Sequence, residues 1–199
     1  MKTKLHERSL VLLKPDAVQR GLIGEIISRF EKKGLKITAM RMVWPTNEMA
    51  KRHYDQPESA MMTLGNRTLE SFAKEGKKHW TDDPMAIARQ IQEWLVGYLS
   101  AGPIVAMVIE GAHAIAHVRK IRGGVNPLNA DMGTITADLT IDSYFIADES
   151  QRAVRNLVHA SGNVEEAENE IKIWFGEKDI FDYDLAIEKI LYSKDWEAK

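Results

Sequence analysis

Cysteine is missing altogether from the 199 residues, which excludes disulfides and thiolate metal sites and fits a reducing compartment. Neither sign of charge is in excess. With 27 Lys and Arg against 29 Asp and Glu the net charge is −2, so the broad attraction that drives non-specific binding to nucleic acid or to an anionic membrane is lacking, and no nucleic-acid partner is expected. No apolar run approaches the ~20 residues that span a bilayer. The stretch Met1-Lys2-Thr3-Lys4-Leu5-His6-Glu7-Arg8 has no apolar segment of the kind a secretory signal carries. The expectation is a cytoplasmic chain without a membrane partner. Two phosphate-binding patterns are also absent. Gly76-Lys77-Lys78 does not close a Gly-x-x-x-x-Gly-Lys-Ser/Thr loop, because residue 71 is Ser and residue 78 is Lys, and Gly-x-Gly-x-x-Gly does not occur.

What is present suits one globular domain spanning residues 1–199, with 44% hydrophobic and 28% charged residues. The apolar run Ser9 to Leu13, stopped by Lys14-Pro15-Asp16, reads as a buried strand with Lys14 at its mouth. Leu22, Ile23, Ile26, Ile27 and Phe30 follow helical spacing up to Gly34. Residues 35–44 alternate like a second strand, and 47–54 make a short helix. Residues 57–90 turn polar and rich in breakers and read as an insertion. A helix is expected over 91–99, an apolar strand over 104–109, a helix over 112–121, a Gly-rich loop over 123–133, an alternating segment over 135–141 and a second added loop near 142–151. Residues 151–158 fit helix or strand equally. A helix then starts at Asn163, paired with Glu166 as its cap, with Val164, Ala167, Ile171, Trp174 and Phe175 inside. The order of elements indicates an α+β sandwich.

Chemistry concentrates around Arg155-Asn156-Leu157-Val158-His159-Ala160-Ser161. Glu170 lies three residues beyond Ala167 and four before Trp174, so it points toward the buried stripe. A carboxylate there that accepts from one imidazole nitrogen of His159 fixes the tautomer and leaves the other nitrogen as a nucleophile. Lys14, Arg119, Arg122, Arg152 and Arg155 form a scattered cationic set at element ends, and Lys14 stands out because ligands gather at strand mouths. Tyr54 closes a polar helix near a ligand position. His113 and His117, four apart, lack the Glu and third ligand of a zinc site and read as surface histidines.

Glu7-Arg8-Ser9-Leu10-Val11-Leu12-Leu13-Lys14-Pro15-Asp16, Val18-Gln19-Arg20-Gly21-Leu22-Ile23-Gly24-Glu25-Ile26, Ser100-Ala101-Gly102-Pro103-Ile104-Val105-Ala106-Met107-Val108, Asn126-Pro127, Gly133-Thr134-Ile135 and Asn156-Leu157-Val158-His159-Ala160-Ser161, in that order, resemble nucleoside diphosphate kinase. The resemblance covers nearly the whole chain outside the two insertions. It implies a ferredoxin-like βαββαβ sandwich with an antiparallel sheet and an added helical insertion, and a homo-oligomer, tetramer or hexamer. It also implies transfer of the γ-phosphate of ATP or another NTP to an NDP through phosphohistidine, with ping-pong kinetics. Position by position, His159 would be the nucleophile, Glu170 its orienting carboxylate and Ser161 their support. Lys14 and Arg119 would bind phosphates, Tyr54 would lie near the transferred group and Asn156 would touch the sugar. Mg2+ would be held through the phosphates and by no protein ligand.

The chain departs from the family pattern at several of these positions. Val125 stands where the family has Thr, and Thr136 where it has a phosphate-gripping Arg, which points to weakened activity. Losing one charge-assisted contact costs roughly 1.5–3 kcal/mol. Ala17 and Ala160 replace Gly, and Gly162 replaces Asp. Ile91 aligns with the aromatic on which the base stacks, with Trp94 close by, and Arg122 occupies a usually apolar loop position from which it would partly replace the lost guanidinium. The alternative is a nucleotide-binding regulatory or assembly protein of this fold with reduced or lost phosphotransfer.

Overall fold

The computed structural model describes residues 5–74 and 76–196. In chain order the elements are β1 (His6–Leu13), α1 (Pro15–Gln19), α2 (Ile23–Lys32), β2 (Lys36–Val43), α3 (Asn47–His53), α4 (Glu58–Lys74), α5 (Pro84–Ser100), β3 (Ile104–Ala112), α6 (Ala114–Arg122), α7 (Ile135–Leu139), α8 (Tyr144–Glu149), β4 (Val158–Ala160), α9 (Val164–Trp174) and α10 (Ala186–Tyr192). The four strands form one sheet in the order β2-β3-β1-β4. Every neighbouring pair is antiparallel, which is the ferredoxin-like arrangement. No helix among the described residues is long and apolar enough to cross a membrane.

Alternation along the central strands divides the core into two halves. Val11, Leu13, Val105, Met107 and Ile109 face α2 and α6 and pack with Ile26, Phe30, Val118 and Ile135. Leu10, Leu12, Ala106 and Val108 face the other way, against α3, α5 and α9, through Ala50, Val96, Leu99, Ile171 and Trp174. Val158 and Ala160 of β4 belong to the first half. His159 between them is therefore turned to the side where α3 and α9 lie, and this parity positions the site.

The structure corrects four local expectations. Residues 135–141 alternate in composition yet α7 is a helix, because Thr134 caps it by accepting from the Ala137 N–H. The segment after residue 142 is no open loop: Ser143 caps α8 by accepting from Ile146 N–H at 3.2 Å. β3 runs past Glu110-Gly111 to Ala112. The helix expected over 91–99 begins at Pro84, where Asp83 is the cap and proline takes the first turn, so Asp82-Asp83-Pro84 is a helix start and not a breaker. Residues 57–90 fold mostly as α4 and the head of α5, two helices pressed so closely that a β-carbon on Gly65 would lie 1.9 Å from the carbonyl oxygen of Pro84. The same region reaches α8, where Lys77 sits over the ring of Phe145 at 4.6 Å.

Candidate active site

β4 is only three residues long, and its register against β1 sets His159 opposite Leu12. Just before it, Leu157 adopts a left-handed backbone, φ 67°. That turn lets the Leu157 carbonyl accept from the Lys14 N–H at 2.8 Å and its own N–H donate to Asp16 Oδ2 at 3.2 Å. Lys14 and His159 are thus brought together by backbone bonds across two strand ends.

Nε2 of His159 lies 2.9 Å from Oε1 of Glu170; the approach is an ion-pair distance without the alignment of a good hydrogen bond. Glu170 is aimed by the start of its own helix. Asn163 Oδ1 accepts from Glu166 N–H at 2.8 Å, while the Glu166 carboxylate accepts from Gly162 N–H and Asn163 Nδ2, each at 2.8 Å. Ser161 fixes the other carboxylate oxygen: its hydroxyl donates to Glu170 Oε2 at 2.6 Å and accepts from Leu10 N–H at 3.0 Å.

The phosphate-side groups come from four elements. Lys14 is 5% exposed and donates to Asn156 Oδ1 at 2.8 Å, and Asn156 in turn donates from Nδ2 to the Val125 carbonyl at 2.8 Å. Burial lowers the Lys14 amine to about 8, with nearby Asp16 acting upward and Arg122 downward. Its ammonium lies 5.0 Å from the centre of the Tyr98 ring. Tyr54, at the C-cap of α3, is oriented inward with its hydroxyl buried and unpartnered; burial, and then Glu170, raise its ionisation well above the phenol range. Arg119 and Arg122 close α6. Val125 is an exposed loop residue whose backbone, not side chain, meets Asn156. Thr136 is fully buried and bonded to the backbone of Arg122. Arg152 is taken up by Asp142 at 2.6 Å and does not join the group, and Arg155, like Arg119, is exposed. Trp94 lines a cleft of about 690 Å³ with Phe72, His79 and Trp80; Ile91, on the same helix, is partly buried.

Sequence reasoning missed His53. This residue, 3% exposed, places its ring 4.4 Å from that of His159 in an edge-to-face arrangement. Its Nδ1 accepts from Trp174 Nε1 at 3.3 Å, which assigns the proton of the neutral ring to the unpartnered Nε2. Burial, and then His159 and Lys14, push its titration well below the histidine range. The ligand-type atoms of His53, His159 and Glu170 lie within 4.8 Å of one another. With one nitrogen accepting and the other protonated, however, His53 has no lone pair for a metal. Mg2+ prefers oxygen ligands in any case, and the surrounding Lys14, Arg119 and Arg122 repel a cation. The site does not fit a protein-held metal. The only signal for His53 was its adjacency to Tyr54, which says nothing about a partner so far along the chain.

Comparison with known proteins gives one answer. The family model described as nucleoside diphosphate kinase matches residues 7–64 and 73–180. The chain is 46% identical over 180 residues to the nucleoside diphosphate kinase of Pyrobaculum aerophilum, covering 88% of this chain and 98% of that relative. It is 42% identical over 180 residues to that of Pyrococcus abyssi, covering 90% and 91%. Among solved structures, an NDP kinase from Pyrobaculum aerophilum superposes with a TM-score of 0.85 at 44% identity, over 89% of this chain and 100% of that one. A nucleoside-diphosphate kinase from Borrelia burgdorferi, solved as a transition-state mimic with vanadate and ADP, gives 0.77 at 31% identity, over 94% and 98%. The sheet and most of the chain thus have their counterparts in one group of phosphotransferases, and the chain belongs to the nucleoside diphosphate kinase family.

Proposed function

We propose that His159 is the nucleophile through which this nucleoside diphosphate kinase moves a phosphoryl group. The observation that carries the reading is the chain Leu10 N–H to Ser161 Oγ to Glu170 to His159 Nε2. With Nε2 turned to the carboxylate, Nδ1 is the nitrogen that attacks. Its lone pair forms the N–P bond to the γ-phosphorus of ATP or another NTP, and the bond from phosphorus to the β–γ bridging oxygen breaks, so the diphosphate leaves with that electron pair. The proton stays on Nε2, where Glu170 balances the charge of the phosphorylated ring. An acceptor diphosphate then reverses the step with its own terminal oxygen, which makes the kinetics ping-pong.

Lys14 and Arg119 hold the phosphates, Asn156 touches the sugar while fixing Lys14, and the Tyr54 hydroxyl faces the transferred group. Mg2+ would be held by the nucleotide, with Lys14 and Arg119 beside it on the phosphates, and would supply charge neutralisation there. Ile91 and Trp94 lie on the α5 side from which a base would be covered. We read residues 1–199 as one domain with additions at about 57–90 and 142–151, working in the cytoplasm as a homo-oligomer, tetramer or hexamer. Supporting self-association, β2 is an edge strand pairing only with β3, and Met40, Met42 and Trp44 stand exposed on and just beyond it.

Incubation with radiolabelled ATP and Mg2+ should give an acid-labile phosphoryl group on the protein, and the label should pass to GDP. A label that persists in His159→Ala refutes the nucleophile. Tight nucleotide binding without exchange between ATP and GDP points instead to a regulatory protein of this fold.

A further inference from the structure

Three cations, Lys14, Arg119 and Arg122, stand at the ends of β1 and α6, with Asp16 the nearby carboxylate on the Lys14 side. Asn156 ties Lys14 to the Val125 carbonyl in the loop after α6, and burial and then Arg119 depress Arg122. Among the described residues no carboxylate lies within ion-pair distance of any of them. Arg122 uses one guanidinium N–H, donating from Nε to the Gly123 carbonyl at 3.1 Å, and its Nη donors remain for something else. A half-buried guanidinium held beside two like charges is costly unless an anion completes the group.

The backbone of Arg122 is clamped from below. Thr136, 0% exposed, donates from Oγ1 to the Arg122 carbonyl at 2.8 Å. The next residue, Gly123, turns with φ +91° so tightly against Thr134 that an added β-carbon would lie 2.3 Å from the Thr134 hydroxyl. Thr134 is in turn the cap of α7. The first turn of α7 is therefore a bolt across the C-terminal end of α6, where the carbonyl groups are otherwise short of partners.

We infer that Arg122 is a phosphate-binding residue of this enzyme and that Thr136 is its positioning residue. The inference rests on the reading of His159 as nucleophile. It reverses the expectation that Thr136 merely marks a missing arginine: the guanidinium reaches the phosphates from α6, and residue 136 holds the backbone that carries it.

Single-turnover phosphorylation of the full-length protein by ATP, read as a rate and an apparent Kd, tests the inference. Arg122→Leu should lower rate over Kd about 10- to 100-fold, with an unchanged thermal midpoint and a shallower dependence on salt. Thr136→Val should slow the step about three- to tenfold, and Thr136→Ser, which keeps the hydroxyl, should restore it. Arg122→Leu combined with Thr136→Arg should recover at least half of the loss on a logarithmic scale. Arg122→Leu within twofold of the parent overturns the inference, as does Thr136→Ser behaving like Thr136→Val. The label in His159→Ala is read separately. Its absence alongside a silent Arg122→Leu would leave the nucleophile standing and remove only Arg122.

Discussion

Replacing Ser161 by alanine removes two bonds from one fully buried atom. The hydroxyl's 2.6 Å bond to Glu170 is charge-assisted, and the Leu10 N–H that it accepts at 3.0 Å lies inside the sheet. Bonds to charged groups contribute roughly 1.5–3 kcal/mol and a buried unmet donor costs roughly 1–3 kcal/mol. Because the two effects share one hydroxyl and are not additive, a net loss of about 2–4 kcal/mol follows. For a domain of this size each kcal/mol moves the midpoint by about 2–4 °C, so Ser161→Ala should melt about 5–15 °C lower. Glu170 also loses its outer anchor, which loosens the imidazole it orients and should slow phosphorylation about tenfold. Circular dichroism gives the first quantity and quenched-flow labelling by ATP the second. A variant with the parent's midpoint and the parent's rate refutes the reasoning. A lowered midpoint with an unchanged rate reduces Ser161 to a structural role.

Three other outcomes follow from the same geometry. Since burial lowers Lys14 to about 8, the free enzyme loses this cation as pH rises through that value, so the KM for ATP should climb above about pH 8, and this climb should vanish in Lys14→Met. His53 titrates below an ordinary histidine in the fold, so the unfolded chain takes up the proton first. Stability should be complete above about pH 6.5 and fall as the medium becomes more acidic, a slope that His53→Gln should flatten. In Gly65→Ala the new methyl would lie 1.9 Å from the Pro84 carbonyl oxygen; α4 must part from α5, so the midpoint should drop in calorimetry despite the better helix propensity of alanine.

Much of the architecture was legible because periodicity reports burial. The central strands read as apolar runs and α2 and α9 as stripes, and the Asn163–Glu166 cap marked the helix that carries Glu170. His159 and Glu170 were legible for the same reason, one lying beside a small-residue turn and the other set toward a buried stripe. What failed were short elements decided by caps. Residues 135–141 alternate as a strand would, but a five-residue helix is settled by the Thr134 hydroxyl and the packing of Ile135. His53 and Thr136 were illegible as partners because their significance lies in single contacts across the fold, to Trp174 and to the Arg122 carbonyl. No local pattern encodes such pairs.

The left-handed turn at Leu157, with its carbonyl on Lys14 and its N–H on Asp16, makes the strand of His159 and the lysine loop a single piece of backbone. With Lys14 and His159 acting as proposed, incoming donors and outgoing acceptors meet one backbone-fixed pair, and that pair addresses only the phosphates that every nucleotide shares. Discrimination among bases cannot arise at that pair. It falls to whatever α5 and its neighbours present farther out, beside the stretch between residues 64 and 73 that the family model leaves unmatched.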